Sequence, residues 1–295
     1  MLKDRLLISI PLLVVVSLAF ILPGRPGDIA FALLCTAFLI GACREFFALA
    51  DRFADGGDPT LTYLCGIALV IAAMVTDHSS PNALVVRFLL DVVIVTGFLF
   101  VCFLNVCRQG VDGRAIRRAV TSIAAFMYVC WLGSFLPKLY FSGSDTAGRL
   151  LVLYLLAVTK TADAGAYAVG TLTARRPGGN HKLIPAISPR KSWEGLVGGT
   201  AASLLTALLL QSWLGDRLTV FGNPALGPGD ACVIGIAASL FGLVGDLVES
   251  MLKRAAGAKD SGRLPGLGGL LDLLDSLIAT GPLFFAYIYL AAFLG

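Results

Sequence analysis

The stretch that decides the class of fold is ACVIGIAASLFGLVGDLVESMLKRAAGAKD, residues 231–260. Residues 231–251 are mostly apolar and, as a helix, are long enough to cross a hydrocarbon core of about 30 Å. Near the end of this helix, four polar side chains follow the pattern i, i+3, i+4, i+7 and so form a polar stripe on one helix face: Asp246, Glu249, Ser250 and Lys253. Because carboxylates are costly inside a bilayer, the stretch predicts a transmembrane helix that ends beside a polar site.

The rest of the chain has the same apolar character. Of its 295 residues, 57% are hydrophobic and 14% are charged, and the mean hydropathy is +0.84. Soluble proteins average about 45–50% apolar and about 25% charged residues. Apolar segments recur near residues 6–22, 29–49, 61–76, 83–106, 119–137, 150–170, 195–214, 231–251 and 274–294. They predict an all-α, polytopic integral membrane protein with about nine transmembrane helices.

Positively charged residues predict the orientation of these helices. Lysine and arginine are concentrated in alternate connections, notably in the loops at 170–194 and 252–273, and the positive-inside rule places such loops in the cytoplasm. The polar site in the C-terminal half then faces the cytoplasm from the inner (cytoplasmic) cell membrane. The net charge of +4 is explained by this topology, so no nucleic-acid partner is expected.

The two halves of the chain differ in polar content. Residues 1–148 are predicted to form N-terminal transmembrane helices, in which Arg87 and Asp91 are expected to pair because they lie four residues apart. Residues 149–295 are predicted to form a catalytic transmembrane region. The seven cysteines include no C-x-x-C pair, so neither a zinc site nor a disulfide framework is expected. Gly235, Gly242 and Gly245 predict close approach of a neighbouring helix.

Two segments of the C-terminal half add further polar groups. In VLYLLAVTKTADAGAYAVG, residues 152–170, the side chains of Lys160, Asp163 and Tyr167 share one helix face. They form either a structural salt bridge capped by the tyrosine or part of a polar site. The loop RRPGGNHKLIPAISPRKSWEGLVGG, residues 175–199, is either a basic linker or an anion site at a helix N-terminus. Ser192 is expected to cap the helix that follows.

A pair of aspartates opens the last apolar segment, in PGLGGLLDLLDS, residues 265–276. Asp272 and Asp275 lie three residues apart and can share a hard cation. Mg²⁺ typically takes one or two carboxylates and completes its octahedron with water and substrate phosphates. Together with the basic loops, the aspartates indicate metal-assisted phosphoryl or nucleotidyl transfer to a phosphate at the membrane surface.

Four motifs, in this order along the chain, resemble those of the phosphatidate cytidylyltransferases, also called CDP-diacylglycerol synthases. The most specific is SMLKRAAGAKDSGRLPGLGGLLDLLDS, residues 250–276, and the others are KTADAGAYAVG (160–170), GGNHKL (178–183) and ISPRKSWEGLVGG (187–199). The resemblance implies that the phosphate of phosphatidate attacks the α-phosphorus of CTP, that Mg²⁺ is required and that pyrophosphate leaves. It also implies an integral membrane protein, often a homodimer.

The resemblance implies a role for each matching residue. Asp246, Asp272 and Asp275 would bind the cation or cations, with Ser250 nearby, and with Lys253 they are the expected catalytic residues. The expected phosphate-binding residues are Lys253, Arg254 and Lys259, and the expected polar wall is Asp260 with Asp163. The residues expected to shape the nucleotide-binding loop are Ser188, Lys191, Trp193 and Glu194.

Three positions depart from the family pattern. Leu267 and Leu273 stand where the family has His and Arg, and Asn180 replaces a usual Lys. Arg263 is a candidate to supply the missing positive charge. The departures leave open a catalytically weak or inactive paralogue that acts as a lipid-binding or assembly protein. An unrelated transporter is a further alternative, but transporters typically carry internal repeats, whereas here the polar residues are concentrated in one half.

Overall fold

The computed structural model describes residues 17, 19–75, 81–110, 112–142, 145–220, 223–262 and 268–294. The chain forms two compact units. Unit 1 comprises Met1–Phe141 and Leu252–Leu274, and unit 2 comprises Ser142–Met251 and Asp275–Gly295. The predicted functional division into residues 1–148 and 149–295 stays a prediction.

The described elements are mostly helices. Those of the first 141 residues are α1 (Arg25–Ala50), α2 (Pro59–Val75), α3 (Pro81–Gln109), α4 (Gly113–Ala125), a π-helical turn (Phe126–Trp131) and α5 (Phe135–Tyr140). Those that follow are α6 (Asp145–Ala174), β1 (Lys182–Ile184), β2 (Ser188–Ser192), α7 (Trp193–Leu214), a 3₁₀ turn (Gly215–Arg217), β3 (Thr219–Val220), β4 (Asn223–Pro224), α8 (Pro228–Ala255) and α9 (Leu270–Leu294).

The helices bear out the predicted membrane class. Within the described ranges, seven are long and apolar enough to cross a membrane: Arg25–Ala50, Leu84–Gln109, Gly113–Tyr140, Thr146–Ala174, Trp193–Arg217, Pro228–Ala255 and Leu270–Ala292. The predicted span at 61–76 corresponds to the shorter apolar helix α2. The span predicted at 6–22 lies mostly outside the described residues. An all-α, polytopic membrane protein is therefore confirmed, and the count of nine stays a prediction.

The buried charges of unit 1 pair differently from the expectation. Asp91 forms its ion pair with Lys138, so the predicted pairing with Arg87 is wrong. The Arg87 guanidinium instead donates hydrogen bonds to the carbonyl oxygens of Lys138, at 3.2 Å, and of Phe141, at 2.5 Å. The cause is a contact between distant helices: Lys138 is only 3% exposed, and burial of its ammonium requires an acidic partner.

Small residues bring the helices of unit 2 close together. A Cβ atom on Gly199 of α7 would lie 2.7 Å from the carbonyl oxygen of Ala162 on α6. On α8, a Cβ atom would lie 2.7 Å from the Cα atom of Leu204 if added to Gly235, and 2.2 Å from a carbonyl oxygen of α9 if added to Gly245. The predicted close approach is confirmed at these two α8 glycines, whereas Gly242 makes contacts of ordinary length.

Candidate active site

In unit 2, helices α6 and α9 bring three polar side chains together. The Lys160 ammonium donates to Ser276 Oγ at 2.9 Å and lies 3.3 Å from Asp163 Oδ2, and Ser276 Oγ donates to the same carboxylate oxygen at 3.3 Å. The salt-bridge alternative of the sequence is therefore present. Tyr167 does not cap it, because its side chain is 76% exposed. Ser276 adds a contact that spacing along α6 does not reveal.

The basic loop reaches α8 through one lysine. Lys191, on β2, donates to Asp246 Oδ2 at 3.1 Å and to the carbonyl oxygen of Leu243 at 3.3 Å. The sequence predicted only that this loop and the polar stripe lie on the same side of the membrane. The structure of unit 2 joins them through this lysine, and the role of the loop as an anion site stays a prediction.

A third group of unit 2 side chains is acidic. The Asp275 carboxyl group interacts with those of Asp246 and Glu249, and both Asp275 and Glu249 are almost fully buried. The backbone N–H of Ser276 donates to Asp275 Oδ1 at 2.6 Å. Carboxyl groups gathered at low dielectric repel one another unless they share a proton or a cation. This donor set suits a hard cation.

An open cavity of about 210 Å³ adjoins these groups in unit 2. Its polar lining comes from α6, β2 and α8, and consists of Asp163, Tyr167, Arg190, Lys191, Ser192, Ser239 and Asp246. Two cationic and two acidic side chains thus face one space. Such a lining can bind a phosphate chain together with its counter-cation.

The predicted nucleotide-binding loop contains a short antiparallel hairpin, which the sequence did not predict. Its register pairs Ser188 with Ile184. Ser192 ends the hairpin and caps α7, accepting a hydrogen bond from the Gly195 N–H at 3.1 Å, so the predicted cap is confirmed. Glu194 accepts hydrogen bonds from the His181 N–H at 3.1 and 3.2 Å.

Two further side chains of this loop differ in their surroundings: one contacts α6 and the other is exposed to solvent. The amide nitrogen of Asn180 donates to the Gly170 carbonyl oxygen at 2.9 Å. The Asn180 side chain thus ties the loop to α6. Trp193 is 56% exposed at the start of α7. The loop therefore presents an aromatic surface beside a fixed hairpin.

In unit 1, the first turn of α9 holds a second polar cluster, which we call the Asp272 cluster: Glu45, Lys253, Ser261 and Asp272. Lys253 pairs with Asp272 Oδ1 at 2.5 Å. Ser261 donates to Asp272 Oδ2 twice, from its N–H at 3.1 Å and from its hydroxyl at 2.9 Å. The predicted catalytic residues Lys253 and Asp272 are thus in direct contact.

Sequence reasoning missed Glu45 of the Asp272 cluster. Its Oε1 atom accepts a hydrogen bond from the Leu270 N–H, and its Oε2 atom accepts one from the Leu271 N–H, both at 2.9 Å. Oε2 also accepts from the Ser261 hydroxyl at 2.9 Å. The signal in the sequence was weak: a single acid near the end of the apolar segment at 29–49, without a periodic partner.

The remaining predicted residues differ in their burial. Ser250 is half-buried on α8, whereas the phosphate-binding candidates Arg254 and Lys259 are exposed, as is Asp260. Leu273 is half-buried in the first turn of α9. Arg263 and Leu267 lie outside the described residues.

The donor set is compatible with Mg²⁺. In the part of the chain that the structure describes, no three His, Cys, Asp or Glu side chains have the geometry to hold a metal ion by themselves. Mg²⁺ does not need such a cage, since one or two carboxylates with water and phosphate oxygens complete its coordination. Asp246 and Asp275 in unit 2, and Asp272 in unit 1, are the candidate ligands.

Comparison with known proteins identifies relatives of the chain. The chain is 39% identical over 170 residues to the uncharacterized protein YnbB of Escherichia coli, and this match covers 57% of the chain and 51% of that protein. It is 40% identical over 149 residues to the phosphatidate cytidylyltransferase of Haemophilus influenzae, and this match covers 48% of the chain and 46% of that protein. It is 39% identical over 163 residues to the phosphatidate cytidylyltransferase of Staphylococcus haemolyticus, and this match covers 54% of the chain and 57% of that protein.

These matches span about half the length of the relatives. A model of the cytidylyltransferase family, in contrast, matches residues 3–291, which is nearly the whole chain. The chain therefore belongs to the cytidylyltransferase family.

Proposed function

We propose that this protein is a Mg²⁺-dependent phosphatidate cytidylyltransferase. It converts CTP and phosphatidate, or a similar lipid phosphate, to CDP-diacylglycerol and pyrophosphate. The observation that carries the proposal is the ion pair of Lys191 with Asp246 at the cavity that Asp163 also lines. A basic loop and two membrane helices thus supply cationic and acidic groups to one space, as the transfer of a nucleotide to a membrane lipid requires.

The proposed reaction is a substitution at phosphorus. A phosphate oxygen of the lipid forms a bond to the α-phosphorus of CTP, and the bond from that phosphorus to the α–β bridging oxygen breaks. Pyrophosphate carries away the electron pair of the broken bond. Both reactants are anionic, so the main task of the protein is to position them and to neutralise their charge.

The residues of unit 2 would bind and orient the nucleotide. Lys191, with Arg190 beside it in the cavity lining, would contact the triphosphate. Lys160 holds Asp163 in place through the Ser276 hydroxyl. Ser188, Trp193 and Glu194 would shape the entrance on the hairpin side; this arrangement is supported by the pairing of Ser188 with Ile184 in the hairpin.

The residues of unit 1 would act on phosphate groups. Lys253 is held by Asp272 in the first turn of α9, where it would neutralise phosphate charge. Arg254 and Lys259 are exposed and would bind a phosphate on arrival, while Asp260 would complete the polar surroundings. Ser250 belongs to unit 2, where it would lie near the cation.

Mg²⁺ would be held by Asp246 and Asp275 in unit 2, and Asp272 is a separate candidate ligand in unit 1. When bound, it would neutralise the triphosphate and favour departure of pyrophosphate. The carboxyl groups of Asp246 and Glu249, which interact with that of Asp275, support this assignment, because a cation would relieve their repulsion.

Two properties of the whole protein belong to the same proposal. The site would face the cytoplasm from the inner membrane, since the basic loops at 170–194 and 252–273 carry the positive charge that faces inward and CTP is a soluble nucleotide. The protein would form homodimers, as members of the family often do. Cysteine labelling of the loops in intact cells tests the orientation, and light scattering in detergent tests the oligomeric state.

A second candidate is a lipid-binding paralogue without useful turnover. The observation that favours it is Leu273, an apolar side chain next to Asp272 where the family has Arg. Loss of a charged hydrogen-bonding partner typically costs about 1.5–3 kcal/mol, or about 10–100-fold in rate if all of it is felt in the transition state. Two such losses, at Leu267 and Leu273, would slow the reaction severely.

One experiment separates the two candidates. Purified protein in detergent is given CTP, with and without phosphatidate and Mg²⁺, and pyrophosphate release is followed. We expect release that requires both additions and is abolished by Asp272→Asn, while the matched control Asp216→Asn, an exposed acid of the 3₁₀ turn, keeps full activity.

Absence of release from the native protein would overturn the enzyme proposal, as would equal release from Asp272→Asn. The double variant Leu267→His with Leu273→Arg identifies the paralogue. If only that variant releases pyrophosphate, the native protein is a lipid-binding relative of the enzyme.

A further inference from the structure

Glu45 of α1 is bound to the segment that carries Asp272, although the two residues are separated by most of the chain. The Glu45 carboxylate accepts one backbone hydrogen bond at each oxygen, from Leu270 and from Leu271. We propose that Glu45 is a positioning residue: it fixes the first turn of α9 and the Ser261 hydroxyl, and thereby the Asp272 carboxylate. This inference rests on the proposed function.

The contact of Glu45 with the helix start is electrostatically favourable. The first N–H groups of a helix have no partner within it, and a carboxylate there also interacts with the positive end of the helix dipole. Hydrogen bonds to an ionised acceptor are stronger than neutral ones. The orientation of the first turn of α9 is therefore set by a side chain of α1.

The same carboxylate is connected to Asp272 through one hydroxyl. Ser261 Oγ lies 2.9 Å from Glu45 Oε2 and 2.9 Å from Asp272 Oδ2. A serine hydroxyl has one proton to donate, so the two carboxylates share it. Lys253, which pairs with Asp272, offsets the repulsion between the two acids. A change at Glu45 is thus expected to move or reorient Asp272.

Three glycines leave the room that this arrangement needs. A Cβ atom on Gly262 would lie 2.2 Å from Glu45 Oε1, and one on Gly269 would lie 2.3 Å from Glu45 Oε2. On α1, one turn before Glu45, a Cβ atom on Gly41 would lie 2.1 Å from Leu270 Cδ1. Gly262 and Gly269 thus pack against the carboxylate, and Gly41 lets α1 approach Leu270, so the carboxylate has little freedom to move.

The sharpest test replaces Glu45 by its amide. Glu45→Gln keeps the shape, but the new NH₂ group must face a backbone N–H donor whichever oxygen it replaces. We expect kcat for pyrophosphate release to fall about 10–100-fold, while the KM for CTP changes by less than about 3-fold and the protein elutes and melts as a folded protein. The matched control is Asp51→Asn, which removes an exposed acid directly after the same helix and is expected to leave kcat unchanged.

Two further measurements separate positioning from other roles. Hydrogen exchange at the Leu270 and Leu271 amides should become at least about 10-fold faster in Glu45→Gln, because their acceptor is weakened. Ser261→Ala combined with Glu45→Gln should lower kcat by less than the product of the two single losses, because part of the effect of each change passes through the same hydroxyl.

The outcomes distinguish this inference from the proposed function. If the native protein releases no pyrophosphate, the proposed function fails, and hydrogen exchange still tests the effect of Glu45 on the helix start. If kcat is unchanged in Glu45→Gln, or falls while exchange at the two amides stays the same, Glu45 is not a positioning residue. Fully additive losses with Ser261→Ala would also overturn the inference.

Discussion

Two glycines of α8, three residues apart, give a test in which the same substitution has opposite effects. Both face α9 in unit 2. A Cβ atom on Gly242 would have its nearest neighbours at 3.6–3.9 Å, whereas one on Gly245 would lie 2.2 Å from the Asp275 carbonyl oxygen and 3.1 Å from the Ala279 Cβ atom. The proposed test compares the variants Gly242→Ala and Gly245→Ala.

The expected magnitudes follow from these distances. In Gly242→Ala the methyl group fits, and the gain in helix propensity stabilises the protein by up to about 1 kcal/mol. In Gly245→Ala the start of α9 must move by at least about 0.8 Å to bring the contact to 3.0 Å, and overpacking of this kind typically costs about 1–3 kcal/mol. Because Asp275 moves with it, activity should fall by up to about 100-fold.

The assay has two readouts on each variant. Thermal unfolding in detergent measures the change in stability, and pyrophosphate release from CTP measures the change in rate per folded protein. We expect Gly242→Ala to melt at or above the native temperature with near-native activity, and Gly245→Ala to be lower in both. Equal stability and equal activity of the two variants would refute the close packing of α8 on the Asp275 backbone.

Three shorter predictions concern polar contacts. Ser276→Ala should lower the free energy of unfolding by about 1 kcal/mol more than Ser203→Ala, in which the matched buried serine donates to a backbone carbonyl. The difference is small because the side chains of the charged partners of Ser276, Lys160 and Asp163, are 43% and 35% exposed. Equal losses on thermal unfolding would contradict the prediction. Lys191→Met should raise the KM for CTP about 10-fold or more, and an unchanged KM would remove this lysine from the nucleotide site. Lys138→Met should destabilise unit 1 by about 3–5 kcal/mol, and adding Asp91→Asn should recover much of the loss; no recovery in melting temperature would contradict their pairing.

The sequence alone determined the features that depend on residue type and on spacing within one segment. Long apolar segments predicted the all-α, polytopic class, since a helix of about 20 apolar residues crosses a bilayer with its backbone hydrogen bonds satisfied. The cap formed by Ser192 and the close-packing glycines at 235 and 245 were predictable for the same reason, because each depends on residue type and on position in one helix. The motif at 250–276 likewise indicated the family.

Only the tertiary structure decided which charged groups meet. Arg87 and Asp91 have the spacing of an ion pair, yet Asp91 pairs with Lys138, which lies on another helix of unit 1. Glu45 carries no periodic signal, and its importance depends on a helix start more than 200 residues away in the chain. Spacing along one helix reports which side chains share a face. The energies of buried charges depend on distances between helices, which packing alone establishes.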